Sequence, residues 1–154
     1  MLPEGLLNLD AISIGDSVPS KKRTLEKAAK LLTQGDELPT QEQIFEKLVE
    51  RERLGSTGLA GGVGLPHARV PGIDKCRGAF IRLAEPIDFD ALDGQPVDLV
   101  FALLVPEEST QEHLQLLAAL AQSLGDSETC ATLRSSDAVQ VLQTLTGTSA
   151  DNAA

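Results

Sequence analysis

The sequence contains no tryptophan or tyrosine, and its 23 acidic residues outnumber its 13 basic ones. Proteins that bind nucleic acids use clustered Lys and Arg side chains for the phosphates and aromatic rings for the bases. A net charge of −10 without those rings argues against a nucleic-acid-binding function.

Cysteine and histidine are also scarce, with two residues of each. Cys76 and Cys130 belong to no paired motif, and the spacings from His67 to Cys76 and from His113 to Cys130 match no zinc-ligand pattern. We therefore expect reduced thiols, no metal site and no cofactor. The alternative use of these four residues is a metal-dependent hydrolase, which would bind zinc.

Long apolar runs are absent too. No segment approaches the roughly 20 apolar residues of a membrane-spanning helix, and the first residues lack the order of a signal peptide. We expect a cytoplasmic protein without membrane insertion. The 154 residues, 42% of them hydrophobic, fit one domain over 1–154, with its core over about 6–145 and a frayed tail over 146–154.

Glycine, in contrast, is concentrated in one stretch. Residues 55–72, GSTGLAGGVGLPHARVPG, hold six of the thirteen glycines and also His67. Dense glycine allows left-handed backbone conformations and lets amide groups turn toward an anion. Because Pro66 fixes the backbone before His67, the stretch is predicted to be a loop that presents this imidazole. Tight packing of the backbone against a sheet is the alternative explanation for some of these glycines.

Capping residues and apolar periodicity predict helices in both halves of the chain. The first begins after Ser20, ends at Gly35 and directs three basic residues toward water: Lys21, Lys22 and Arg23. Its predicted buried residues are Leu25, Ala28, Ala29 and Leu32. The second begins with a Thr40–Gln43 capping box and ends at Leu54.

The third helix is predicted to begin with a capping box of Ser109 and Glu112, to hold His113 near its start and to end at Gly125. Its predicted buried face consists of Leu114, Leu117, Ala121 and Leu124. Two shorter helices are predicted near 127–134 and 137–145.

Strands are predicted within 6–14, at the edge of a sheet, and over 78–84, followed by a turn over 86–94. Residues 97–105 are almost continuously apolar, which favours a central strand covered on both faces and ended by Pro106. This mixture of elements predicts an α/β sandwich, a mixed β-sheet flanked by helices on both sides.

Charge is unevenly distributed along the chain. Residues 51–82 contain six basic and two acidic residues, whereas residues 83–154 contain twelve acidic residues and one basic residue, Arg134. A basic centre within acidic surroundings fits a phosphate site that receives a positively charged protein partner. Acidity that serves only solubility is the alternative.

His67 has the chemistry of a nucleophile. A large fraction of histidine is neutral near pH 7, so its free ring nitrogen can accept a phosphoryl group without another base. Transfer then requires positioning and donors around the equatorial oxygens. The predicted donors are Arg51, Arg69, a neutral His113, and the loop amides of Gly61, Gly62, Val63 and Gly64. Taken alone, His113 is better explained as a surface or core residue without chemistry, and Arg51 as a solvated helix charge.

Four segments carry a family resemblance: RERLGSTG at 51–58, GVGLPHAR at 62–69, PIDFDALDGQPVDLVFALLVP at 86–106 and EHL at 112–114. In this order they resemble the fructose/mannitol-type enzyme IIA family of the bacterial phosphotransferase system, most closely its nitrogen-related branch. The resemblance covers about Leu6 to Leu145. Two departures are Ala68, where the family commonly has glycine, and Ala60-Gly-Gly, where it often has Gly-Asn-Gly.

The resemblance implies an α/β fold in which the histidine after the proline, here His67, is phosphorylated beside His113 and Arg51. The phosphoryl group would come from phosphoenolpyruvate through an enzyme I and an HPr-like phosphocarrier. The implied output is regulatory, through phosphorylation-dependent contacts with proteins such as potassium transporters or sensor kinases. Two alternatives stay open: a binding module of this fold that is never phosphorylated, and a sugar-transport enzyme IIA that passes phosphate to a separate IIB.

Overall fold

The computed structural model describes residues 2–3, 5–33, 38–108 and 110–147. Within these ranges the chain forms five strands and five α-helices. The strands are β1 (Ile12–Asp16), β2 (Val63–Gly64), β3 (His67–Val70), β4 (Arg77–Ile87) and β5 (Val97–Pro106). The helices are α1 (Lys21–Leu32), α2 (Gln41–Leu54), α3 (Gln111–Leu124), α4 (Ser127–Ser135) and α5 (Ala138–Thr146). Among the described helices, none has the length and apolar character needed to cross a bilayer.

β5 lies at the centre of a mixed sheet. β4 pairs with one edge of β5 in antiparallel orientation. On its other side β4 pairs with β1, which is parallel to it and lies at the border of the sheet. Along the other edge, β2 and β3 follow one another in parallel orientation, with Val63 opposite Leu99 and His67 opposite Leu103. Together they form one edge strand interrupted at Leu65-Pro66. The predictions of a central strand, which is β5, and of an N-terminal strand at the edge of the sheet, which is β1, are confirmed.

Two arginines of β4 show that helices cover both faces of this sheet. Arg77 and Arg82 are five positions apart in the strand, so their side chains point to opposite faces. Arg77 donates to the carbonyl of Leu32 in α1, whereas Arg82 donates to the carbonyls of Leu133 and Ser136 at the end of α4. The predicted fold class, a mixed sheet flanked by helices on both sides, is confirmed.

The first two helices begin where their capping residues predict. The hydroxyl of Ser20 accepts from the amide of Arg23, and Thr40 and Gln43 form the reciprocal capping box. The four apolar residues predicted to be buried in α1 are buried. Lys21 corrects the prediction, because its ammonium group turns inward to an acidic residue of α2. Gly35, the predicted end of α1, lies outside the described residues.

The C-terminal helices differ in detail from the prediction. Ser109 lies outside the described residues, and α3 begins one position later with Thr110 as its N-cap. The partner of the Thr110 amide is the ring of His113 rather than Glu112, which corrects the predicted capping box. Of the predicted buried face, Leu124 is buried and Leu117 and Ala121 pack against the core while partly exposed, whereas Leu114 is 58% exposed. The buried Leu120 was not predicted. The bounds predicted for α4 and α5 agree with the structure to within one residue.

The strands also differ from the prediction. β1 begins only at Ile12, after a 3-10 turn over Leu9–Ala11. β4 continues through Pro86 to Ile87, with a register shift after Arg82. Residues 55–72 are not a continuous loop, because β2 and β3 arise within them. Both cysteines are free thiols, and burial raises the pKa of each.

Candidate functional site

His67 is the first residue of β3 and is held from two sides. Its backbone pairs with Leu103 of β5, and the Leu103 amide donates to the carbonyl of Pro66 at 2.9 Å. Proline lacks an amide hydrogen, so its place at the interruption of an edge strand leaves no donor unpaired. The central strand and the proline together fix the backbone position from which the half-buried imidazole projects.

The imidazole of His67 has one defined partner. Its Nδ1 lies 2.8 Å from the carbonyl oxygen of Leu65. A carbonyl only accepts hydrogen bonds, so Nδ1 donates and carries the proton, and the lone pair lies on Nε2. Burial and the nearby charge of Arg51 lower the pKa of His67, while the Leu65 carbonyl and Glu52 act in the opposite direction. The ring is therefore neutral near pH 7, with a nucleophilic Nε2.

A depression of about 390 Å³ surrounds this ring. Four of the predicted site residues line it: His67, Arg51, His113 and Arg69. Its other lining residues are Lys47, Glu50, Leu54, Ala68, Val105, Leu114 and Leu117. We call this cavity the site depression. One of the basic residues, Lys47, pairs with Glu50 at 3.6 Å. Three basic side chains against one carboxylate leave a net positive charge, which suits an anionic group.

Arg51 reaches the site depression from the last turn of α2. Its Nη1 donates to the carbonyl oxygen of Gly55 at 2.9 Å, one of the carbonyls that remain unpaired at a helix end. This bond uses one of the five guanidinium hydrogens and leaves the others for an anion. The helix terminus thus positions the cation that is predicted to act beside His67.

His113 lines the site depression from the third position of α3. Its Nδ1 accepts a hydrogen bond from the amide of Thr110 at 3.0 Å. An accepting Nδ1 places the proton of a neutral ring on Nε2, which is then a hydrogen-bond donor on a residue that lines the site depression. The histidine takes the place that Glu or Gln holds in a capping box.

The glycine segment has a different position from that predicted. None of the described residues Gly61, Gly62, Val63 and Gly64 lines the site depression. The amide of Gly61 donates to Asp93, and the carbonyl of Gly62 accepts from the amides of Asp98 and Leu99. These groups tie β2 to the central strand.

Positive φ angles explain two of these glycines. Gly61 has φ +81° and Gly62 has φ +82°, a region that favours glycine. At Gly62 an added Cβ would also lie 2.7 Å from Nη2 of Arg134, which binds Asp98 and the Gly61 carbonyl. Ala68 needs no such freedom, because it pairs with Leu104 inside extended β3.

Sequence reasoning missed several lining residues of the site depression. Lys47 and Leu54 share one face of α2 with Arg51, at spacings of four and three residues, so helical periodicity could have found them. Leu114 was assigned to the core by the same periodicity. The leucines Leu54 and Leu114 are 85% and 58% exposed and form an apolar rim beside the histidines.

A larger depression, of about 710 Å³, lies between α1 and α2 and is lined by neither histidine. Among the described residues, no cluster of three or more His, Cys, Asp or Glu side chains could hold a metal ion. The site depression, in contrast, is lined by both histidines and by Arg51 and Arg69.

Comparison with known protein families assigns the chain to one of them. The model described as "Phosphoenolpyruvate-dependent sugar phosphotransferase system, EIIA 2" matches residues 5–147. The chain belongs to this family. The resemblance stated from the sequence motifs is thereby confirmed.

Individual proteins are similar over most of their length. The nitrogen regulatory protein of Pseudomonas aeruginosa is 48% identical over 125 residues, 80% of this chain and 80% of that protein. The crystal structure of nitrogen regulatory protein IIA-Ntr from Neisseria meningitidis has a TM-score of 0.86 at 44% identity, covering 91% of this chain and 96% of that one. The fructose-specific EIIA component of Haloferax volcanii is 34% identical over 135 residues, 88% of each chain.

Proposed function

We propose that this protein is a phosphocarrier that accepts a phosphoryl group on Nε2 of His67. The observation that carries the proposal is the hydrogen bond from Nδ1 of His67 to the Leu65 carbonyl. It fixes the tautomer whose free lone pair lies on Nε2, in a depression that Arg51 and His113 also line.

The transfer exchanges one phosphorus–nitrogen bond for another. The bond between phosphorus and a histidine nitrogen of the donor breaks while a bond from phosphorus to Nε2 of His67 forms. The released electron pair remains on the donor nitrogen. His67 keeps its Nδ1 proton, so its ring becomes cationic, and the Leu65 carbonyl stabilises that charge.

Arg51 and His113 are proposed to bind the equatorial oxygens of the phosphoryl group. The guanidinium of Arg51 supplies charge and several donors, while Nε2 of His113 supplies one N–H donor. Arg69, which is exposed at the same depression, adds positive charge at its margin. We assign the backbone of Gly61, Gly62, Val63 and Gly64 the task of holding β2 instead of contacting the phosphoryl group directly.

The proposed donor is an HPr-like phosphocarrier that receives its phosphoryl group from phosphoenolpyruvate through an enzyme I. The exposed Leu54 and Leu114 offer such a protein an apolar contact beside the basic site. We propose a regulatory output in the cytoplasm, since the relatives from P. aeruginosa and N. meningitidis are named nitrogen regulatory proteins. Its targets would be proteins such as potassium transporters or sensor kinases.

The decisive experiment is intact mass spectrometry after incubation with phosphoenolpyruvate, enzyme I and an HPr-like carrier from one source. We expect an acid-labile gain of one phosphoryl group that is absent from His67→Ala. No gain, with donors shown to be active on another acceptor, would refute the carrier function and support the unphosphorylated binding module.

A second candidate function is sugar transport, which the fructose-specific name of the H. volcanii relative favours. Adding a IIB protein to the labelled carrier tests it. Passage of the label to IIB would support the sugar-transport function, whereas retention on His67 would support the regulatory one.

A further inference from the structure

Glu52 is a charged residue in the interior of the protein. It lies in the last turn of α2, directly after Arg51, and its side chain is only 6% exposed. A buried carboxylate is strongly destabilising unless hydrogen bonds and an opposite charge compensate the lost hydration. The buried carboxylate of Glu52 therefore requires hydrogen-bond donors and a positive charge as partners.

Two residues satisfy this carboxylate. Thr57 donates twice, from its amide to Oε2 at 2.8 Å and from its hydroxyl to Oε1. The ammonium of Lys21, at the start of α1, lies 2.9 Å from Oε2. Lys21 also contacts Asp90, in the segment between β4 and β5. One carboxylate thus joins α1, the end of α2 and the segment that leads into β2.

The contacts of Glu52 are connected to Arg51, which is proposed to bind the phosphoryl group. Thr57 follows two residues after Gly55, whose carbonyl holds the guanidinium of Arg51. Thr57 also accepts from the Leu65 amide at 3.0 Å through its carbonyl. These three hydrogen bonds at Thr57 leave the nearby Gly55 carbonyl little freedom to move. Glu52 is thus linked to Arg51 through Thr57 and Gly55, although it does not line the site depression.

We propose that Glu52 is a positioning residue for phosphoryl transfer: its bonds to Thr57 hold Arg51 in place, and its negative charge favours the cationic ring that His67 acquires on phosphorylation. The inference rests on the proposed function of His67.

The electrostatics agree with this geometry. The charged and titratable groups around His67 are Arg51, Lys47, Glu50, Arg69, His113 and Glu52. Among them, Arg51 lowers the pKa of His67 and Glu52 raises it. The carboxylate therefore partly offsets the effect of the guanidinium on the pKa of His67, which burial lowers further.

A purely structural role is the competing explanation, since the ion pair between Glu52 and Lys21 also joins α1 to α2. Glu52→Gln keeps the side-chain volume but removes the charge and with it the ion pair to Lys21, so the two roles are separated by measuring stability beside kcat and the pKa of His67. Glu46→Gln is the matched control, the same substitution at an exposed position of the same helix. Phosphoramidate serves as a small phosphoryl donor, whose phosphorus–nitrogen bond breaks with loss of ammonia, so that docking of a protein does not enter the rate.

We expect Glu52→Gln to lower kcat for phosphorylation of His67 by roughly 10- to 100-fold, the range for a misplaced catalytic group, with KM unchanged. Titration of the His67 ring by NMR should show a lower pKa in Glu52→Gln and an unchanged pKa in Glu46→Gln. A lower melting temperature with wild-type kcat and an unchanged His67 pKa would overturn the proposal and leave a structural role.

Thr57→Val provides a second route if Glu52→Gln fails to fold. It removes the hydroxyl donor while keeping the charge, so kcat should fall without the lowered His67 pKa, and Thr57→Ser should restore most of the rate. Wild-type kcat in Thr57→Val would contradict the positioning role. If the wild-type protein accepts no phosphoryl group, the proposed function fails, but the His67 titration and the NMR signal of the Arg51 guanidinium still decide the role of Glu52.

Discussion

His67 and His113 present opposite ring nitrogens as hydrogen-bond acceptors. Nδ1 of His67 donates to the Leu65 carbonyl at 2.8 Å, whereas Nδ1 of His113 accepts from the Thr110 amide at 3.0 Å. Two backbone groups therefore give one ring a free lone pair on Nε2 and the other an N–H at Nε2. A free lone pair on one ring and an N–H donor on the other, both at one depression, fit the proposed phosphoryl transfer.

Replacing His113 should slow transfer without abolishing it. His113→Ala removes one donor to the phosphoryl oxygens, a loss that elsewhere reduces rates by roughly 100-fold or more. It also removes the acceptor for the Thr110 amide, so the free energy of unfolding should decrease by about 1 kcal/mol. Rapid-quench kinetics and chemical denaturation measure the two effects.

His113→Gln is the matched variant, because glutamine at this helix position can accept from the Thr110 amide and still offer an N–H. It should recover the stability and part of the rate. A wild-type transfer rate in His113→Ala would exclude His113 from the phosphate site.

Arg51→Ala should slow phosphorylation by something like 10²- to 10³-fold, because the phosphoryl group loses its principal cation. It should also raise the pKa of His67, since the charge of Arg51 lowers that pKa. Transfer kinetics and NMR titration of the ring test both.

The control for Arg51 is Arg53→Ala, an equal loss of charge two residues later on α2, at a residue that lines the larger depression instead. Equal slowing in the two variants would show that general positive charge, rather than the placement of Arg51, supports transfer.

The pH dependence of transfer should follow the neutral fraction of His67. Its pKa lies below the ordinary value of about 6.5, so the rate should stay constant as pH falls through 6.5 and decrease only at lower pH. If the rate of phosphorylation by phosphoramidate fell to half its maximum at a pH above 6.5, this result would contradict the lowered pKa of His67.

The lowered pKa of His67 also links stability to pH. The unfolded chain binds this proton more readily than the folded protein, so the free energy of unfolding should decrease as pH falls through 6.5 toward the folded pKa. His67→Gln should remove this component in denaturation curves recorded across the range. If the free energy of unfolding of His67→Gln depended on pH as steeply as that of the wild type, other groups would account for the proton uptake.

Gly62→Ala should destabilise the fold more than Gly61→Ala. Both residues have positive φ, which opposes alanine by roughly 1–2 kcal/mol. Only at Gly62 does the added Cβ meet Arg134, which should add about 1–3 kcal/mol and disturb the Arg134–Asp98 ion pair. Denaturant midpoints measure the difference, and equal midpoints would mean that Arg134 moves aside without loss.

Local sequence signals predicted the elements that are determined by local chemistry. Ser20 and the Thr40–Gln43 box set the starts of α1 and α2, because a side-chain acceptor next to free helix amides acts over three or four residues. The apolar run of β5 predicted the centre of the sheet, because a strand covered on both faces tolerates few polar residues. The Gly55 to Gly72 segment was predicted only as a loop, since two- and four-residue strands exist only through pairing with β5.

The sequence by itself determined the fold class, the family and the identity of the candidate nucleophile. Only the tertiary structure decided which nitrogen of His67 is free, that His113 takes the place of Glu112 in the capping box, and that Glu52 and Lys21 face inward. The physical reason is that a tautomer or a buried ion pair depends on partners brought together by folding. Leu65 acts on His67 through a carbonyl that every residue possesses, so no residue type in the sequence could have indicated it.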